Sequence, residues 1–172
     1  MFNGLGKEIS MDGNVEELIR LLDLEEHIEG GYYKRSYCAK APVNDSTGQA
    51  LASSIYYLLT NNNSVGHFHK NKSDILHFHH GIGVIRYYLV SESGQLSIVD
   101  MGSDLNEGQQ LQLLVSGGVW KASELIEGNM GLISEVVIPE FRFEDMILAN
   151  ASDMASWDVK EEALMRLIKR NI

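Results

Sequence analysis

The sequence predicts an all-β domain, an antiparallel sandwich or barrel with a helix at each end. Eight or more short runs rich in branched and aromatic residues succeed one another between about residues 29 and 149. Gly, Asn or Ser bounds each run, and no helical periodicity separates them. At 172 residues and 44% hydrophobic, the chain has the length for one domain with a full core. We place that single domain over residues 1–172, with its core at about 14–150 and a C-terminal helix at about 158–170.

The elements follow in order. NVEELIRLLDL at 14–24 sets Val15, Leu18, Ile19 and Leu22 on one helical face, with Asn14 and Glu17 at capping-box spacing. His27 falls at the end of this helix, where a surface place suits it. In EGGYYKRSY at 29–37, Gly30-Gly31 allows a turn and the aromatics suit a strand; Tyr33, Arg35 and Tyr37 share one of its faces. Past the polar link APVNDSTGQ, the strand-like ALASSIYYLLT at 50–60 splits Ser54, Tyr56 and Leu58 from Ile55, Tyr57 and Leu59. Further strands read as GVIRYYLV, QLSIVDMG, QLQLLVSGGVWKAS, LISEVVI and FRFEDMILA. DVKEEALMRLIKR at 158–170 returns to helix, with Asp158 and Glu161 as its cap, a stripe of Val159, Ala163 and Leu167, and Lys169-Arg170 at its C-terminal dipole.

Composition excludes several classes. A net charge of −10 and a pI near 5.0 disfavour nucleic acid and anionic membrane surfaces. Cys38 is the single cysteine, so no intramolecular disulfide forms and a reducing cytoplasm is the expected location. No run is apolar and long enough to span a membrane.

Chemistry concentrates at SVGHFHKNKSDILHFHHG, residues 64–81, which holds five of the six histidines. His67 and His69 are two apart, as are His77 and His79, so in a hairpin each pair points to one face and four imidazoles gather with Asp74. His80 alternates to the other side. A single histidine inside a barrel commonly only bonds a neighbour, but a cluster with a carboxylate is costly to bury without a role.

Written as His67-x-His69-x4-Asp74-x6-Gly81, the block resembles the first motif of the cupin superfamily, with Asp where Glu is usual. At the second motif, Ser116-Gly117-Gly118-Val119-Trp120-Lys121 keeps the glycine but puts Lys121 where a fourth metal ligand would stand, and a protonated amine is a poor ligand. EGGYYKRSY, SIYYLL at 54–59, VDMGSDLNEGQ at 99–109, VSGGVWKAS at 115–123 and VIPEFRFEDM at 137–146 are similar to the cupin branch known as cupin type 5 or DUF985. That resemblance implies a double-sheet jelly roll (cupin barrel) that forms a homodimer and is related in shape to the sugar-nucleotide 3,5-epimerases.

Three chemistries fit such a pocket. Acid–base isomerisation or epimerisation of a sugar-like or anionic small molecule would use His67, His69, His77 or His79 as base, with Tyr56 returning a proton. Non-catalytic binding of a small molecule is the second. The third is a divalent transition metal held by His67, His69 and Asp74, a reading weakened by Lys121. Tyr33 and Arg35 suit an anionic or hydroxylated ligand; equally, Arg35 caps a buried carboxylate and Tyr33 is core. Trp120 and Lys121 suit a ring and an anion, although a lone tryptophan more often closes a barrel end.

Overall fold

The structure, a computed structural model, describes residues 14–39, 48–155, 157 and 162–169. Among these residues eleven strands, all paired antiparallel, form the double-sheet jelly roll. They are β1 (Glu25–Glu26), β2 (Tyr32–Cys38), β3 (Ser53–Thr60), β4 (Val65–Asn71), β5 (Asp74–His79) and β6 (Val84–Val90), then β7 (Leu96–Met101), β8 (Gln112–Val115), β9 (Trp120–Glu127), β10 (Met130–Ile138) and β11 (Met146–Leu148). One sheet has the order β1-β2-β3-β10-β5-β8 and the other β11-β4-β9-β6-β7. The sheets stay separate, so the molecule is a sandwich and the barrel does not close.

Alternation along each strand sends one set of side chains between the sheets. Tyr57 and Leu59 of β3, Ile133 of β10, Ile85 and Tyr87 of β6 and Met101 of β7 meet there. Full burial of such side chains stabilises by about 1.5–3 kcal/mol each. The opposite face of β3 and β10 presents Leu58, Met130 and Leu132 to helix α1 (Val15–Leu21), whose Val15, Leu18, Ile19 and Leu22 form the predicted stripe. Asn14 caps that helix by accepting from the Glu16 N–H at 3.1 Å.

The outer face of β4, β6 and β9 is covered by the C-terminal segment. Phe68, Tyr88, Val90 and Trp120 pack there against Met154, Trp157, Leu164, Leu167 and Ile168. A short helix α2 (Ala151–Met154), not foreseen, opens the segment with a capping box between Asn150 and Asp153. Residues 162–167 form a 3-10 helix where a regular helix was expected. The predicted cap Asp158 with Glu161, the stripe residue Val159 and Arg170 lie outside the described residues, as does most of the polar link at 41–49. Among the described residues no helix is long and apolar enough to cross a membrane.

Candidate functional site

A cavity of about 460 Å³ opens between the sheets. Its buried end is polar, formed by Glu29, His69, Asn71 and Glu135. Its sides carry His27, Tyr33, Phe141 and Phe143, and Arg35 and Glu25 stand at the exposed mouth.

Glu29 is set in place by the glycine turn that follows it. Gly30 has φ +104°, and a Cβ there would lie 2.0 Å from the Val65 carbonyl oxygen, so only glycine lets the turn close onto β4. Three bonds pin the turn. The Tyr57 hydroxyl donates to the Gly30 carbonyl at 2.9 Å, the Gly31 N–H to Asn63 Oδ1 at 2.9 Å, and the His67 N–H to the Glu29 carbonyl at 2.6 Å. The Glu29 carboxylate then faces inward, with Oε2 at 2.9 Å from His69 Nε2 and 3.5 Å from His27 Nδ1.

The two imidazoles on this carboxylate differ. His69 has both nitrogens engaged, Nε2 with Glu29 and Nδ1 with the His67 carbonyl at 2.8 Å. His27 Nδ1 accepts from the Glu29 backbone N–H at 3.4 Å, which places the proton of the neutral ring on Nε2, and Nε2 has no hydrogen-bond partner among the described residues. Its ring lies edge-on to Tyr33 with centroids 4.5 Å apart. Burial, aided by the charge on nearby His69, pushes the His27 pKa down and favours the neutral ring. Burial alone would raise Glu29, but the His69 and His27 rings outweigh it and hold the carboxyl below its ordinary value. The expected surface place for His27 is thereby corrected: the chain turns back after α1 and packs the ring into the cavity wall.

A second carboxylate, Glu135, is clasped in the same manner. Lys121 reaches across the sandwich to place Nζ at 3.2 Å from Glu135 Oε1 and 2.9 Å from His77 Nε2. His77 Nδ1 meets the Leu113 carbonyl at 3.2 Å. The ammonium donates to Nε2, so His77 is neutral and its Nδ1–H donates to Leu113. Burial first, and the Lys121 charge second, push the His77 pKa down. Burial opposes ionisation of Glu135 too, yet the Lys121 ammonium holds it far below the ordinary carboxylate range. Only Glu135 of the three borders the cavity; His77 and Lys121 lie behind it.

The expected meeting of four imidazoles in one cavity does not occur. The β4–β9 pairing shifts by one residue between Gly66 and His69. This bulge breaks the alternation, so that Phe68 enters the outer cluster and His67 bonds the Leu167 backbone while His69 turns inward. His79 is inward but spent on its own turn: Nε2 donates toward the Ile82 and Gly83 carbonyls at 3.2 and 3.0 Å, and Nδ1 accepts from the Gly81 N–H at 3.0 Å. His80 points outward to the Ser134 hydroxyl.

Other expected residues separate likewise. Tyr56 lies on the outer face of β3 near His80, and it is Tyr57 that turns inward. Asp74 is exposed and accepts from the Gly117 N–H at 2.9 Å, fixing the β8–β9 turn away from His69. Trp120 packs against Trp157 with centroids 6.0 Å apart, on the face opposite Lys121. Tyr33 and Arg35 do reach the cavity, and one Arg35 nitrogen donates to the Phe141 carbonyl at 3.0 Å instead of to a carboxylate.

Comparison with known proteins fits this geometry. Residues 16–149 match the family described as Cupin superfamily (DUF985). The chain belongs to that family. This cupin is 38% identical over 157 residues to "Uncharacterized protein YML079W" of Saccharomyces cerevisiae, covering 81% of this chain and 77% of that one. Among solved structures it is similar to protein SO0799 from Shewanella oneidensis, with TM-score 0.84 and 30% identity over 93% of this chain and 99% of that one. It shares the fold of a hypothetical protein from Leishmania major, with TM-score 0.83 and 22% identity over 92% and 100% of the two chains.

The residues of this cupin do not fit the metal that its first motif brings to mind. Of His67, His69 and Asp74, only His69 faces the cavity, and both of its nitrogens are occupied. Among the described residues no three His, Cys, Asp or Glu side chains converge to hold a metal ion. The Lys121 ammonium already supplies the buried cation beside His77 and Glu135.

Signals for the missed residues exist in the sequence. Glu29 immediately precedes a Gly-Gly turn; Asn71 shares a strand face with His69; Glu135 is the one acid in the apolar run LISEVVI, at parity with Ile133 and Val137.

Proposed function

We propose that this cupin binds a small polar molecule in the cavity between its sheets and isomerises it by acid–base proton transfer. The observation that carries the reading is the buried Glu29 carboxylate beside His27, whose Nδ1 accepts from the Glu29 backbone N–H so that the neutral ring presents Nε2–H in the cavity wall. A neutral ring fixed in that tautomer donates from Nε2 and steadies the negative charge that builds on a substrate oxygen, while the carboxylate serves as base. His69, committed at both nitrogens, positions Glu29.

In this reading the Glu29 carboxylate takes a proton from a hydroxyl-bearing carbon next to a carbonyl whose oxygen accepts a hydrogen bond from His27 Nε2–H. The C–H electron pair forms the enol double bond, and the carbonyl oxygen takes a proton from the adjacent Tyr33 hydroxyl. The hydroxyl of the first carbon then gives its proton to Tyr33 as its oxygen becomes the new carbonyl, and Glu29 delivers its proton to the former carbonyl carbon, which completes the isomerisation. Tyr33 suits the donor role because burial and the Glu25 carboxylate push its phenol upward and keep it protonated. It takes the part that the sequence assigned to Tyr56.

The test is solvent-deuterium exchange at carbon, followed by proton resonance on a panel of sugar acids and sugar phosphates found by thermal shift. His27→Gln should lower the exchange rate by about 10²–10⁴-fold. An unchanged rate in that variant sinks the acid–base reading. Ligand binding without exchange in the wild type would leave a binding protein.

The homodimer belongs to the same reading. The outer face of the first sheet carries half-buried Leu76, Phe78 and Val136 beside exposed Leu114 and Ile138, and a second copy would cover them. Light scattering should give twice the chain mass in the wild type and a monomer in Leu114→Lys/Ile138→Lys; a monomeric wild type refutes it.

A further inference from the structure

Asn71 is a buried polar side chain in the cavity that the proton chemistry does not use. It is 8% exposed, it lines the cavity, and its Oδ1 has no hydrogen-bond partner among the described residues. A buried carbonyl oxygen left unpaired has lost its water without replacement, and a ligand that donates to it recovers that cost. Asn71 follows His69 by two residues on β4, so both face the cavity with Cα atoms about 6–7 Å apart.

Charge orients the ligand further. Glu29 and Glu135 make the buried end acidic, and an anionic group placed there would meet two carboxylates in a poorly solvated space. Arg35, exposed at the mouth with one nitrogen on the Phe141 carbonyl, keeps further N–H groups for an anion. Arg35, Ile55 and Glu135 are register partners across β2, β3 and β10, which sets Arg35 and Glu135 about 10 Å apart. Size gives the last limit. At about 30 Å³ per water-sized group, the 460 Å³ cavity encloses roughly 15 such groups. That matches a hexose carrying one acid or phosphate group. A nucleoside-diphosphate sugar is more than twice that size.

We infer that the cavity takes a free, monosaccharide-sized hydroxylated compound with one terminal anionic group, its anion at Arg35 and one of its hydroxyls donating to Asn71. The inference rests on the reading of this cavity as a small-molecule site and does not need the proton transfer.

Calorimetric titration of the full chain with D-glucuronate, D-glucose 6-phosphate and uridine diphosphate glucose tests it. One of the first two should bind at least tenfold more tightly than the nucleotide sugar. Asn71→Leu should weaken that probe about tenfold, the effect of one hydrogen bond. Should the variant fold poorly, the monodeoxy analogues of the bound probe serve on the wild type, and one of them must lose about tenfold while the others do not. Preference for the nucleotide sugar, no binding by any probe, equal affinity in Asn71→Leu, or indifference to every deoxy position would each overturn the assignment. Asn71-dependent binding with no deuterium exchange at carbon would uphold this inference and remove the acid–base reading, so the two fail separately.

Discussion

Glu29 and Glu135 are two buried carboxylates, each held between two nitrogen bases, and they differ in what those bases are. Glu29 sits between two imidazoles, one of which has a nitrogen open to the cavity. Glu135 borders the cavity as well, but its partners His77 and the Lys121 ammonium lie behind it. An imidazole gains and loses its proton near neutrality, whereas an ammonium so placed is a standing charge. The first arrangement keeps a proton movable next to a ligand. The second fixes a charge, neutralises a ring and joins the two sheets. Burial of ionisable groups marks both places, and only the identity of the partner separates the chemical one from the structural one.

The most severe way to break the comparison is to remove the standing charge. Lys121→Met leaves Glu135 buried beside a neutral ring, a loss of about 3–5 kcal/mol expected of a broken buried pair. His77 can compensate by taking the proton that Lys121 denied it. With Glu135 at 3.3 Å from its Nε2, the ring in the variant gains a partner, and its pKa rises above the unfolded value. A raised histidine stabilises below its unfolded pKa and loses that contribution as pH climbs through the folded one. Denaturant unfolding should therefore show a larger cost at pH 8 than at pH 5.5. An equal cost at both would mean that His77 does not answer for Lys121 and that the parallel between the two carboxylates is only geometric.

Much of the fold was legible because it rests on alternation. Tyr57, Ile133 and Tyr87 face inward by the same parity that the runs around them display, and Val15, Leu18, Ile19 and Leu22 form the helical stripe that their spacing dictates. The C-terminal segment was less so: of its expected stripe Leu167 packs against the sheet, joined by Leu164 and Ile168 in short turns against Trp120 and Phe68. The site failed in the reading where alternation itself failed. A one-residue bulge in β4 separated His67 from His69, and no residue type in VGHFHKN announces it. Glu29 and His27 come from a turn more than 30 positions earlier, brought to His69 by pairing across the sandwich, which local spacing cannot express. Lys121 was recognised as an unusual occupant of its position. Its partner Glu135 was not, because a single acid in an apolar strand reads as an outward residue until the register is known.

The intact molecule should carry a smaller mark of the same contrast in its response to acid. His77 is fully buried and its pKa is pushed down by burial and by Lys121, so in the folded state it resists protonation. The unfolded chain has no such restraint and takes up a proton near the ordinary histidine value of about 6.5. Between about pH 7 and pH 5 the unfolded state thus binds more protons than the folded one, and stability falls as pH falls, by about 2 kcal/mol for a ring that stays neutral throughout. His27, His67 and His79 are pushed down as well, first by burial, and act in the same direction. Glu29 and Glu135 add nothing in this window. Their lowered values contribute stability above the unfolded carboxyl value near 4.5 and release it only on further acidification. A urea series at several pH values should slope downward through the histidine range and steepen again below the carboxyl range. A flat response between pH 7 and pH 5 would mean that His77 is charged in the folded protein. The ammonium of Lys121 would then not be what neutralises it, and the distinction drawn between the two carboxylates would lose its physical basis.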